Sequence, residues 1–176
     1  QSSITASSEI RNETNRFNLI SCPGYAELLD EMITLSTDRK NTAFVVGDAP
    51  LRLAADSTST AAWANNTAVA DVNGEDGLVS SSPYAAVYYP HGLATNLDGT
   101  NVMVPASYMA LRTIAFNDQV AFPWFAPAGF QRGLVSNASG TGYLNATSNE
   151  FEAVALSEGQ RDSLYTNKIN PIGNFP

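Results

Sequence analysis

Apolar residues fall in short blocks along the chain, separated by polar stretches rich in Asn, Ser, Thr and Gly, and the spacing changes from block to block. Residues 1–16 are polar apart from Ile4 and Ile10 and predict an arm or an edge strand. "RFNLIS" (16–21) predicts a short strand. Tyr25, Leu28, Leu29, Met32, Ile33 and Leu35 keep helical spacing behind Pro23, which predicts a helix over 25–37. "TAFVVGDAP" (42–50) is a compact apolar run closed by Gly, Asp and Pro, the pattern of a buried strand. The Ala-rich stretch 57–72 opens on capping residues and predicts a second helix, with Trp63 facing inward. A loop is expected at 71–77 and a strand at 84–90.

Asp98-Gly99 inside 91–107 marks a hairpin turn. Pro105 opens a helix over 105–118, at the first turn, where a missing N–H is harmless. "SGTGYLN" (139–145) predicts a flexible surface loop, and a last helix is expected over about 157–166. Strands alternating with helices give an α/β fold with a mixed central sheet flanked by helices. No internal repeat or long low-complexity linker interrupts it.

One block fits neither period. "VAFPWFAPAGFQRG" (120–133) holds Phe122, Trp124, Phe125 and Phe130 among Pro123, Pro127 and Gly129. It is too apolar for a solvated loop and too broken for a helix, and it carries no His, Cys, Asp or Glu. Aromatic rings bury large area at low entropy cost, so a plug in the core is the expectation. The alternative is an exposed hot spot at a contact between subunits.

Composition narrows the classes. The chain of 176 residues suits one domain, with room for a smaller appendage. With 44% hydrophobic and only 15% charged residues, the surface must be largely uncharged and polar, which suits one covered by partners. The net charge is -8 and the nine Lys and Arg form no basic run. That disfavours a nucleic-acid groove and binding to anionic membranes. No apolar run reaches the ~20 residues of a membrane helix, so direct insertion is not expected.

Cys22 is the only cysteine, which favours a reducing compartment such as a bacterial cytosol. The sequons at Asn12, Asn65, Asn137 and Asn145 are read as chance in a chain this rich in Asn, Ser and Thr. A start at Gln1 and an end at "NPIGNFP" read as a fragment of something longer.

The search for chemistry finds little. His91 is the only histidine, with no second His or Cys to share a metal, and a structural role is expected for it. Cys22 precedes a helix start, but packing explains it better than reactivity. "DVNGEDG" (71–77) fails the EF-hand pattern, with Asp76 at position six and Ser82 at position twelve. No phosphate loop or nucleophile elbow is present. Asp30-Glu31 and Glu75-Asp76 are sequence neighbours and do not face each other. No catalytic residue, metal site or cofactor is therefore expected.

The order of two blocks does carry information. "VPASYMALRTIAFNDQVAFPWFAPAGFQRG" (104–133) runs from a Pro-started helix through Trp124 to Pro127, Ala128, Gly129 and Gly133. "RDSLYTNKINPIGNFP" (161–176) runs from a helix into Asn170, Pro171, Ile172, Phe175 and Pro176. Together they resemble the tail sheath proteins of contractile bacteriophages, especially those of T-even-like and giant phages. The same core occurs in the sheaths of contractile bacteriocins and type VI secretion systems. The resemblance covers about 42–176, and "VVGDAP" (45–50) and "YAAVYYP" (84–90) look like the family's core strands. The chain departs from the pattern: no Gly precedes Trp124, Phe125 replaces a common basic residue, and the chain stops at Pro176, where the family continues into a glycine, a further strand and a C-terminal domain and arm. The resemblance therefore implies a core truncated before its C-terminal strand and lacking the N-terminal arm.

The resemblance implies a structural protein rather than an enzyme, located in the virion tail and assembled in the host bacterial cytoplasm. Sheath subunits stack as hexameric rings around a tail tube, then slide and rotate as the sheath shortens and drives the tube through the host envelope. The implied partners are other sheath subunits, the tube protein, and baseplate and terminator proteins. Residues 42–176 would be the sheath core and 1–41 a more variable segment. Arg112, Arg132 and Arg161 are candidates for subunit contacts, while the fragment alone is expected to be monomeric. A virion-surface carbohydrate- or receptor-binding module is the alternative, and a hydrolase with an unrecognised site a third.

Overall fold

The computed structural model describes residues 1–67, 77–78, 81–136 and 138–175. The chain opens with a short helix, α1 (Ser2–Ala6), in place of the edge-strand alternative for 1–16; it lies against the later helix α2. Strand β1 (Leu19–Ile20) leads through a 3₁₀ turn at Ala26–Leu28 into α2 (Leu29–Asp38). Then come β2 (Phe44–Asp48), α3 (Ser57–Ala64) and β3 (Ala85–Tyr89). The order β1-β2-β3-β8 makes a four-stranded parallel sheet, its last strand β8 being Ile169–Pro171. Each early strand sits beside the one before it, and the helix between them makes the crossover that parallel neighbours need.

The long apolar run at 42–50 becomes the second strand from the edge of this sheet. Val45 and Val46 point to opposite faces and both are fully buried. Helix α2 covers it closely. A Cβ on Gly47 would meet Leu29 Cδ1 at 2.6 Å, so any larger residue there would require the Leu29 side chain to shift. The core continues through Met32, Leu35, Trp63, Tyr89, Leu164 and Ile169. Trp63 faces inward, as its place in the Ala-rich pattern predicts. Helix α3 ends at Ala64, earlier than the sequence pattern suggests, because Asn65 takes the C-cap and Asn66 turns left-handed at φ 55°. The rest of that predicted helix and most of the loop at 71–77 lie outside the described residues.

Between β3 and β8 the chain adds β4 (His91–Thr95), β5 (Asn101–Val104), α4 (Ala106–Val120), the short α5 (Gly129–Arg132), β6 (Gly140–Leu144), β7 (Phe151–Ala153) and α6 (Glu158–Thr166). Helix α6 packs back on β8 and α3, and α4 packs on β2, β3 and β4. The order β5-β4-β6-β7 makes an antiparallel sheet. The fold is thus α/β as expected, with its strands divided between two sheets.

The predicted hairpin forms: Thr95 faces Asn101, and Gly99 takes φ +85° in the turn. The stretch 139–145, expected as a surface loop, is instead a central strand of this sheet. Its glycines read as a loop signal, but Gly142 is there for space: an added Cβ would strike the carbonyl oxygen of Glu152 on β7. Helix α6 starts behind a complete capping box between Ser157 and Gln160.

Candidate functional site

Helix α4 begins deep inside the protein. Ala106 and Ser107 are fully buried, so their backbone N–H groups need partners. Pro105 at the N-cap has no side chain that can accept from them. The partners come from other elements. Ala106 N–H donates to His91 Nδ1 at 3.3 Å, and Ser107 N–H donates to Asp48 Oδ1. The Ser107 hydroxyl donates to Asp48 Oδ2 at 2.8 Å, where Gly24 N–H also donates at 2.8 Å. Since Nδ1 accepts, the His91 proton is on Nε2, which donates to the carbonyl of Ala49 at 3.0 Å.

Asp, His and Ser therefore meet here, but not as a catalytic triad. The serine bonds the aspartate directly, and the backbone occupies both ring nitrogens of the histidine. Burial holds His91 below its ordinary pKa, partly opposed by the Asp48 charge, so it is a neutral structural group. Cys22 is half-buried against the core, and desolvation pushes its thiol up, away from the reactive thiolate form. Among the described residues, no group of three or more His, Cys, Asp or Glu is placed to hold a metal.

Beyond the far end of α4, the aromatic segment departs from the expectation of a core plug. Trp124 is 76% exposed, and Phe122, Phe125 and Phe130 are exposed as well. The core places are already taken by residues such as Trp63 and Tyr89, and the segment packs largely on itself. Phe122 and Trp124 stack with centroids 4.8 Å apart and planes 1° apart, and Phe125 lies 6.3 Å from Phe122. The buried amide of Asn117 on α4 donates to the Phe125 carbonyl at 3.0 Å and ties the loop down.

The two glycines of the motif have distinct reasons. Gly129 takes φ +73°, and at Gly133 a Cβ would sit 2.7 Å from the Ala128 backbone. Pro127 is half-buried while Ala128 is exposed.

The second block comes back to the first. Asn170 and Pro171 lie in β8, where the Asn170 amide donates to the Val87 carbonyl at 3.1 Å. Ile172 N–H continues the ladder to the Tyr89 carbonyl at 2.7 Å. Phe175 then meets Phe130 at 4.9 Å and 62°, joining the two blocks at one surface. Arg161 lies over the Phe175 ring at 4.9 Å and donates to the Leu156 carbonyl. Arg132 lies over Phe125 at 5.8 Å, and Arg112 donates to the Ser136 carbonyl at 2.6 Å. Pro176 is outside the described residues.

No family model matches the chain. Over 75 residues, 43% of its length, the chain is 35% identical to the tail sheath protein of Vibrio phage KVP40. Those residues span about a tenth of that relative's length, so the similarity is partial: over that stretch the chain is similar to part of a phage tail sheath protein.

Proposed function

We propose that this chain is part of a structural subunit of a contractile phage tail sheath. The observation that carries the reading is the partial identity to a sheath protein, together with the two motif blocks in the order the family shows. In this reading 42–176 is sheath core and 1–41 a more variable segment. The whole subunit polymerises as stacked rings around the tail tube, bounded by baseplate and terminator proteins, and contraction drives the tube through the host envelope. No catalytic residue is required, because the energy released lies in the difference between two packings of the same subunits.

Negative-stain electron microscopy of the full gene product, purified alone, tests the reading. Tubes or stacked rings are the expected result, and a protein that stays dispersed from low to high salt would sink it. The exposed Trp124–Phe122 stack favours one second reading, a virion-surface module that binds a sugar ring on an aromatic face. Measurable affinity in a glycan screen is what that reading needs.

A further inference from the structure

Helix α4 stands outside the main core. The core cluster draws on strands β1, β2, β3 and β8 and on helices α2, α3 and α6, and among the described residues no side chain of α4 belongs to it. The helix buries Ala106, Ser107, Met109, Ala110 and Asn117, of which Met109 is the one large apolar side chain. Its other large residues Tyr108, Phe116 and Val120 are exposed. By contrast α2 buries Leu29, Met32 and Leu35. A helix with few buried apolar contacts sits at the low end of local stability, so its polar contacts decide whether it stays in place.

The polar contacts of its first turn depend on a proton. Ala106 N–H donates to His91 Nδ1, and that acceptor exists only in the neutral ring. A solvent proton added at Nδ1 turns the acceptor into a donor that faces the Ala106 N–H. The other nitrogen offers no alternative, since Nε2 already donates to the Ala49 carbonyl. Few groups around the ring compensate for a charge there. Asp48, at the end of β2, is the carboxylate that faces it, and its oxygens already hold Ser107 and Gly24. From β3 the Tyr89 ring stands edge-on at 6.4 Å, its phenol kept neutral by burial. Strand β6 presents Gly142, and α4 presents the Ala106 N–H.

We propose that α4 is a pH-gated unit: a proton on His91 uncaps its first turn, and the helix lifts from β2 and β4 while the main core stays folded. The inference does not depend on the sheath reading. In the lifted form His91 meets water and titrates at about 6.5, whereas in the closed form burial holds it lower. Acid therefore favours the lifted form, whose population rises by up to about tenfold between pH 7.5 and 5.5. His91 is the only histidine, the side-chain type that ordinarily titrates in this window.

Hydrogen exchange of the unmodified chain and of His91→Gln, read by mass spectrometry at both pH values and corrected for intrinsic rates, tests the gate. Glutamine keeps one acceptor and one donor but takes up no proton. In the unmodified chain the amides of 106–113 should open about tenfold more at pH 5.5, with those of α2 and β2 still protected, and in the variant the ratio should stay near one. Equal opening in the variant overturns the proposal. So does an equal rise across α2 and β2, which would be global unfolding. Should the variant fail to fold, nitrogen NMR of the ring in the unmodified chain decides, because a sole histidine gives one set of signals. The proton is expected on Nε2 at pH 7.5, and the Ala106 amide should lose its bond as the ring charges. A proton on Nδ1 at neutral pH, or a ring that charges without changing that amide, overturns the gate as well.

Discussion

Ser107 gives both its backbone N–H and its hydroxyl to the carboxylate of Asp48, although 59 positions separate them in the chain. The pairing caps α4 at the end of β2 and leaves Asp48 with a third donor in Gly24. Charge-assisted bonds in a dry site are strong, and donors left without a partner are costly. Asp48→Ala should therefore lose about 3 kcal/mol of stability, and Ser107→Ala about 1–2 kcal/mol. Urea unfolding of the two variants and their double mutant checks this, and additive losses would show that the residues are not coupled.

His91 gives the fold a dependence on pH. Burial depresses its pKa in the folded state below the value of about 6.5 expected when unfolded. The unfolded chain therefore takes up the proton first as pH falls. The stability contributed is present above about 6.5 and is lost as pH drops through the folded pKa. The urea midpoint should fall between pH 7.5 and 5.5, and His91→Gln should flatten that slope. An equal slope in the variant would assign the effect to the carboxylates.

The two tryptophans should separate sharply. Trp63 is 3% exposed and Trp124 76%. In single-tryptophan variants, acrylamide should quench Trp124 strongly and Trp63 weakly when the chain is dilute. Trp63→Ala should cost about 3–5 kcal/mol through the cavity it leaves. Trp124→Ala should stay within about 0.5 kcal/mol. A large loss at Trp124 would restore the idea of a plug.

Glycines in β6 offer a contrast within one strand. Gly142→Ala drives a methyl into the Glu152 carbonyl and the Phe151 ring, so the β6–β7 pairing must shift, at about 1–3 kcal/mol. At Gly140 a Cβ meets nothing within 4 Å, so alanine there should be tolerated. Thermal unfolding of the two variants gives the comparison directly.

Local signals were the most legible. The α6 cap at Ser157, the Asp98-Gly99 turn, the inward Trp63 and the run that becomes β2 each depend on neighbours within a few positions. The surroundings of His91 and Cys22 were not legible, because the backbone partners of the ring and the core against which the thiol packs come from elements distant in the chain. The strand at 140–144 was illegible for a physical reason. Glycine in a strand marks a close approach by something distant, and the sequence alone reads it as flexibility.

The sequence by itself determined the α/β class, the positions of most helices and strands, and the order of the two motif blocks, because periodicity, capping and turn chemistry act over short range. Only the tertiary structure decided that the strands divide into two sheets, that Asp48 and His91 cap α4, and that the aromatic segment faces outward. Those outcomes depend on contacts between elements far apart in the chain. An apolar side chain carries the same pattern whether it is buried in its own subunit or kept for a partner.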